Sequence, residues 1–202
     1  MIHSTNPVQV KLGAKDLRTT KGDPKIIKSL KKNPIYIILD NVLDTYNVGA
    51  IFRLADAVSA EKVILCGQTE TPPHTRIKKA SINTTEWVQW QYFADAKTAI
   101  SNLKSQISRL PKPGTGGQAN LKVVAIEQSS KSVPYDKYDY SFPIALVVGH
   151  ESEGVSKEVL DMADAIVELP MFGVNKSLNV MVSLGIVLYE VVRYIPESIS
   201  RS

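Results

Sequence analysis

The stretch "NPIYIILDNVLDTYNVGAIFRLADAVSAEKVILC", Asn33 to Cys66, decides the fold. It opens with a short apolar run, Ile35–Leu39, directly after Asn-Pro, and such a run reads as a buried strand. From Asn47 to Val58 the apolar residues Val48, Ile51, Phe52, Ala55 and Val58 recur at helical spacing. Lys62–Cys66 is the next strand. Two features of the helix are out of place. Asn47 and Gly49 are poor helix formers at its start, and Arg53 interrupts an apolar run.

The alternation continues along the chain. Trp87–Phe93 alternates in the manner of a strand, and Asp95–Leu110 is a helix with Ala96, Ala99, Ile100, Leu103 and Ile107 on one side. Leu121–Glu127, Pro143–Gly149 and Ala165–Pro170 are further strands, and a long helix follows from about Leu178 to Tyr194. The segment Gly67–Glu86, broken by Pro72 and Pro73, reads as a polar loop, and Pro111–Asn120 as a turn-rich connector. Short apolar strands alternating with helices predict an α/β fold: a mostly parallel sheet with helices on both faces. Ligands of such sheets bind beyond the carboxyl ends of the strands. The loops after Leu39, Cys66, Glu127, Val148 and Leu169 are therefore the ones to inspect.

Length and composition fit one soluble domain: 202 residues, 44% hydrophobic and 22% charged. Cys66 is the single cysteine, which excludes an internal disulfide and fits a reducing, cytoplasmic setting. No signal peptide and no run near the roughly 20 apolar residues of a membrane span is present. The net charge of +4 is uneven. Residues 1–32 hold eight Lys/Arg against Asp16 and Asp23, a balance of +6, which leaves about −2 for the remainder. A basic arm, 1–32, partly helical around Pro24–Lys32, thus precedes a domain at 33–202. Arg76, Lys78 and Lys79 form a second basic cluster. Such clusters attract polyanions.

Several chemistries lack their motifs. No G-x-G-x-x-G follows a strand, and "GTGG" at Gly114–Gly117 lacks the Gly-Lys-Ser/Thr ending of a P-loop, so it reads as a flexible turn. His3, His74 and His150 are scattered and Cys66 stands alone, so no metal site is expected. There is no G-x-S-x-G elbow.

Three loop-plus-helix segments remain: Asn47-x-Gly49-x-x-x-Arg53; "GHESEGVS", with Gly149, Glu151, Gly154 and Ser156; and "LPMFGVNKSLNV", with Leu169, Met171, Gly173, Ser177, Leu178 and Asn179. Each has an ordinary explanation. Asn47 and Ser177 suit helix N-caps, Ser156 suits the cap of a short helix, Arg53 and Asp56 suit an intrahelical pair, and the glycines suit turns. Together, in this order, they resemble the SpoU/TrmH branch of the SPOUT RNA methyltransferases, over about Pro34 to Arg193. Asn47, Gly49, Ala50 and Arg53 match the family's N-x-G-A-x-x-R. Gly149, Glu151 and Gly154 match its G-x-E-x-x-G. Pro170, Met171, Gly173, Ser177, Leu178, Asn179 and Val180 match its P-M-x-G...S-L-N-V. The departures are mild: Leu54 and Met181 stand where small residues are common.

The resemblance implies a C-terminal deep trefoil knot, which periodicity cannot reveal. It also implies a homodimer and S-adenosylmethionine bound near Gly149, Leu169, Met171 and Leu178. The implied reaction is 2′-O-methylation of a ribose in tRNA or rRNA, with Arg53, Asn47, Glu151, Ser177 and Asn179 as the reacting set. In the family the arginine matching Arg53 is linked to activation of the hydroxyl. Deprotonating a guanidinium at neutral pH costs roughly 7 kcal/mol, which favours a role in holding phosphate and ribose. Arg76, Lys78 and Lys79 would meet RNA phosphates. Two other readings compete: a non-catalytic RNA-binding or assembly protein that keeps the fold, and a small-molecule enzyme or nucleotide-binding protein on an ordinary open α/β sheet. The intact Arg53, Glu151 and Asn179 oppose the first, and the missing phosphate loop opposes the second.

Overall fold

The computed structural model describes residues 11–111 and 118–196. Gly114–Gly117 and the first ten residues of the basic arm lie outside them. In chain order the elements are α1 (Ala14–Thr19), α2 (Pro24–Ser29), β1 (Asn33–Asp40), α3 (Thr45–Ala57), β2 (Ala60–Cys66), α4 (Thr75–Ser81), a 3-10 turn (Thr84–Glu86) and β3 (Trp90–Phe93). Then come α5 (Ala96–Ile107), β4 (Lys122–Ile126), β5 (Val133–Pro134), β6 (Ile144–Gly149), α6 (Lys157–Met162), β7 (Ala165–Glu168) and α7 (Val180–Val192).

The strands form one sheet in the order β3-β2-β1-β6-β4-β7-β5, and every pairing in it is parallel. The central strands β1 and β6 run in register from Ile35 opposite Ile144 to Asp40 opposite Gly149. Their side chains alternate between two cores, which is why both read as continuous apolar runs. Ile35, Ile37 and Leu39 join Ile144, Leu146 and Val148 in one core, covered by α3 and α7. Ile38, Ala145 and Val147 join the other, covered by α5 and α6. Helices therefore lie on both faces, as the alternation predicts.

Several local expectations are corrected. Helix α3 starts earlier than expected, because Asp44, not Asn47, is its cap: the Asp44 carboxylate accepts the Tyr46 N–H at 2.8 Å. Ser177 does not cap α7. Asn179 does, accepting the N–H groups of Met181 and Val182 at 2.9 and 3.4 Å. Ser156 occupies the cap position of α6, but its side chain makes no cap bond. The Gly67–Glu86 loop contains helix α4, begun by His74, whose Nδ1 accepts the Arg76 N–H at 3.3 Å. Strand β3 is shorter than Trp87–Phe93, since Trp87 and Val88 enter the core before pairing begins.

The glycine at position 49 is explained by packing within the chain. A Cβ there would lie 2.6 Å from Ala80 Cβ and 2.7 Å from the Ile77 carbonyl oxygen, so α3 and α4 could not keep their present separation. On the opposite flank of α3, Leu54 packs 3.5 Å from the Cβ position of Gly185, filling space that the second helix leaves. Helix α7 buries Leu184, Val187, Leu188 and Val191, while Val182, Ile186 and Tyr189 form an exposed apolar stripe along it. Cys66 is wholly buried; burial first, then the charges of Asp40 and Asp95, push its thiol up to about 12. That removes it as a nucleophile near neutral pH.

Phe52 is fully buried among the side chains of α3, β1 and β2. Phe52→Ala is expected to cost about 3–5 kcal/mol in urea unfolding. A destabilisation below about 1 kcal/mol would show that α3 does not anchor this core.

Candidate active site

The three sequence segments meet at one chain of side-chain hydrogen bonds. One oxygen of the Glu151 carboxylate accepts the Leu43 N–H at 3.1 Å. The other accepts the Asp44 N–H at 3.0 Å and the Asn47 Nδ2 at 3.0 Å. Asn47 then accepts Asn179 Nδ2 on its Oδ1 at 3.0 Å, and Asn179 Oδ1 caps α7. The chain links the entry of α3, the loop after β6 and the start of α7, and apart from the local cap of α7 each of these bonds joins residues more than a hundred positions apart.

This arrangement sets the charge of Glu151. Burial pushes its pKa up, and that is the largest single effect. The N–H groups of Leu43 and Asp44 and the Asn47 amide together outweigh it and hold the carboxyl below its ordinary 4.5. Glu151 is thus ionised near neutral pH, with both oxygens accepting hydrogen bonds from the segment that opens α3.

The carboxyl ends of β4, β6 and β7 open into a pocket of about 530 Å³. That size suits a small organic ligand. Gly149, Glu151, Leu169, Met171, Ser177, Leu178 and Asn179 all line it, so seven of the positions picked from sequence share one cavity. Glu127 and His150 also line it, and Asp40 braces the loop beside it; none of the three is among the sequence-predicted site residues. Glu127 accepts the Val155 N–H at 2.9 Å with one oxygen, and this oxygen lies where a Cβ on Gly154 would fall. Gly154 also has φ +74°, so both backbone conformation and space demand glycine there. Asp40, buried at the end of β1, accepts the Ser156 N–H at 2.9 Å. His150 Nδ1 accepts the N–H groups of Ser152 and Glu153 at 3.0 and 3.2 Å. Only the position of Glu127 and Asp40 at strand ends could have marked them in the sequence.

The remaining predicted residues lie elsewhere. Arg53 is exposed on α3, outside the pocket lining, and makes no ion pair among the described residues. The expected Arg53–Asp56 pair is not formed: the cation acting on Asp56 is Lys32, which opposes the rise that burial imposes on that carboxyl. Arg76, Lys78 and Lys79 are exposed on α4, on a helix rather than in a loop. Among the described residues no group of three or more His, Cys, Asp or Glu could hold a metal ion, and no helix is long and apolar enough to cross a membrane.

The profile of the SpoU rRNA Methylase family matches residues 34–189. The tRNA (guanosine(18)-2'-O)-methyltransferase of Aquifex aeolicus is 32% identical over 166 residues, covering 81% of this chain and 71% of the relative. A 23S rRNA (guanosine-2'-O-)-methyltransferase of Ralstonia nicotianae is 30% identical over 169 residues, covering 84% of this chain but 62% of the relative's length. Among solved structures, the A. aeolicus TrmH/SpoU tRNA modifying enzyme has a TM-score of 0.70 at 28% identity, covering 92% of this chain and 83% of that one. An AdoMet-bound rRNA methyltransferase from Sinorhizobium meliloti has a TM-score of 0.70 at 28% identity, covering 89% of this chain and 60% of that one.

Because the folded-state pKa of Glu151 is lowered, its contribution to stability is complete above about pH 4.5 and disappears as pH falls through the lowered value. Glu151→Gln is expected to destabilise the protein at pH 7 by about 1 kcal/mol. In thermal melts across pH, the gap to wild type should close under acid conditions. A gap that stays constant with pH would contradict the assigned charge.

Proposed function

The chain belongs to the SpoU rRNA Methylase family, and from that membership we propose that it transfers a methyl group from S-adenosylmethionine to a ribose 2′-hydroxyl of tRNA or rRNA. The observation that carries this reading is the Glu151–Asn47–Asn179 chain, which unites the three motif segments at the mouth of the pocket.

The pocket fits the cofactor chemically. Ile126, Val148, Leu169 and Met171 offer apolar surface for an adenine ring, and the exposed backbone at the strand ends offers donors and acceptors for its edge. Glu127, Glu153 and Glu168 give the lining a negative balance suited to a cationic ligand. When bound, S-adenosylmethionine supplies an electrophilic methyl on a positively charged sulfur. Gly149, Leu169, Met171 and Leu178 are its assigned contacts. The chain's own residues then have separate tasks. Glu151, Asn47 and Asn179 spend their polar atoms on one another and on backbone, so they position the pocket rim. The Ser177 hydroxyl, exposed at the rim, is the group available to hydrogen-bond the ribose. The Arg53 guanidinium holds a phosphate, orients the ribose and stabilises the alkoxide as the 2′-proton leaves to solvent.

Arg53 does not line its own chain's pocket, which accords with a site completed across a homodimer interface. The exposed stripe of Val182, Ile186 and Tyr189 on α7 is the surface assigned to that interface. The trefoil knot belongs to the same reading: it gathers the loops after β4, β6 and β7 into one cofactor pocket. A cytoplasmic location accords with an RNA substrate and a buried free cysteine. The arm at 1–32 and helix α4, with Arg76, Lys78 and Lys79, are assigned to RNA phosphates, and residues 33–202 to the methyltransferase domain. The non-catalytic alternative is disfavoured by the intact pocket and its hydrogen-bonded rim.

Arg53→Ala is expected to lower methyl transfer to RNA by roughly a hundredfold or more. Arg53→Lys should also lose transfer, since an ammonium lacks the forked geometry. Calorimetry should show S-adenosylmethionine bound with unchanged affinity by both variants, and sedimentation should show dimers. Near-normal turnover by Arg53→Ala, or a monomer at micromolar concentration, would contradict this account of the site.

A further inference from the structure

We propose that the basic arm and helix α4 are one preorganised surface for an RNA phosphodiester backbone, and that Asn83 is the pin that joins them. The inference rests on the RNA-methylating function above and goes beyond it by assigning how the arm is held. Helix α4 ends in two consecutive left-handed residues, Ile82 (φ +52°) and Asn83 (φ +69°). Asparagine tolerates that conformation, whereas a β-branched residue adopts it only under constraint. The bend turns the Asn83 side chain toward the arm, where only 6% of the residue stays exposed. Its Nδ2 donates to the carbonyl of Leu17 at 3.1 Å and of Thr20 at 2.9 Å. Both belong to the end of α1, where helix carbonyls lack intrahelical partners. The amide thus gives two carbonyls at the end of α1 a partner from outside the arm.

A second contact supports the first. Gly22 sits so close to the carbonyl of Glu86, in the 3-10 turn beyond Asn83, that a Cβ at position 22 would overlap it. Residues 11–32 are therefore seated on the 81–86 segment at two points.

The charge pattern on this assembly names the partner. Lys11, Lys15, Arg18, Lys21, Lys25 and Lys28 on the arm, and Arg76, Lys78 and Lys79 on α4, all keep their cationic ends within reach of solvent. None of them forms an ion pair with a carboxylate among the described residues. The only acids on the described arm are Asp16 and Asp23, and Asp23 is engaged in capping α2. A solvated tail needs no buried carboxamide to fix it, whereas cations held in place match the regular charges of a nucleic-acid backbone without the cost of ordering a free chain. Helix α4 packs in turn on α3 at Gly49, two residues from Asn47, so the surface adjoins the proposed reaction site.

Asn83→Gly tests the pin, because glycine removes the amide while keeping the left-handed backbone. The full chain would be compared with wild type for hydrogen exchange over residues 14–29, for S-adenosylmethionine affinity, and for affinity to unmodified bulk tRNA across a salt series. The expected result is faster exchange in α1 and α2, unchanged cofactor affinity, roughly tenfold weaker RNA binding and a shallower salt slope. A double variant, Arg18→Gln with Lys21→Gln, should leave exchange unchanged and lower the salt slope by about 0.7–0.9 for each phosphate that is no longer neutralised. If Asn83→Gly frees the arm but RNA affinity and slope stay as in wild type, the surface proposal is overturned. The same holds if exchange in the arm does not change. If wild type itself binds RNA without salt dependence, the failure lies in the RNA reading on which the proposal rests.

Discussion

The carboxylate of Glu151 is the tie on which the rest of the site depends. Its two oxygens receive two backbone N–H groups and one side-chain amide, all from the segment that opens α3. Through Asn47 the same tie reaches Asn179 and the first turn of α7. Hydrogen bonds to a charged group each contribute about 1.5–3 kcal/mol when well shielded, and less where water competes. Their greater effect here is geometric. The pocket rim is built from three loops that the parallel sheet delivers to the same edge, and the Glu151–Asn47–Asn179 chain is the tie that runs through all three.

The helices beside the pocket are fixed by steric limits of a different kind. Helices α3 and α4 touch at Gly49, and α3 and α7 approach where Leu54 faces Gly185. Helix α3 is thereby wedged between the helix that carries Arg76, Lys78 and Lys79 and the helix that Asn179 caps. A polyanion seated on α4 would rest on the element that carries Asn47 and Arg53. This continuity from basic surface to rim to pocket is the physical content of the functional reading.

Much of this was legible in the sequence. The strands were readable because residues such as Ile35, Ile37, Ile38 and Leu39 are buried between two helical layers and form a nearly continuous apolar run. The pocket residues were readable because the three segments stand after strands and match a family pattern in order. Other parts were hidden. Helix α4 buries only Ile77 and Ser81, so it carries too little periodicity to separate from the prolines before it. Asp44 was missed as a cap because Asn47, three residues later, has equal intrinsic preference for that position. Asn47 turns out to spend its side chain on Glu151 and Asn179 instead. The roles of Glu127 and Asp40 depend on which loop folds back over each strand end, and that is a tertiary fact. The pairing of Arg53 with Asp56 followed from helical spacing alone, and the position of Lys32 beside Asp56 overrides it.

The central claim is that this site methylates ribose in RNA. The most direct measurement is a map of 2′-O-methylated positions across tRNA and rRNA from cells that lack the gene, from the same cells restored with wild type, and from cells restored with Arg53→Ala. The account predicts that a defined ribose methylation disappears on deletion, returns with wild type and does not return with Arg53→Ala. Identical maps in all three would contradict it.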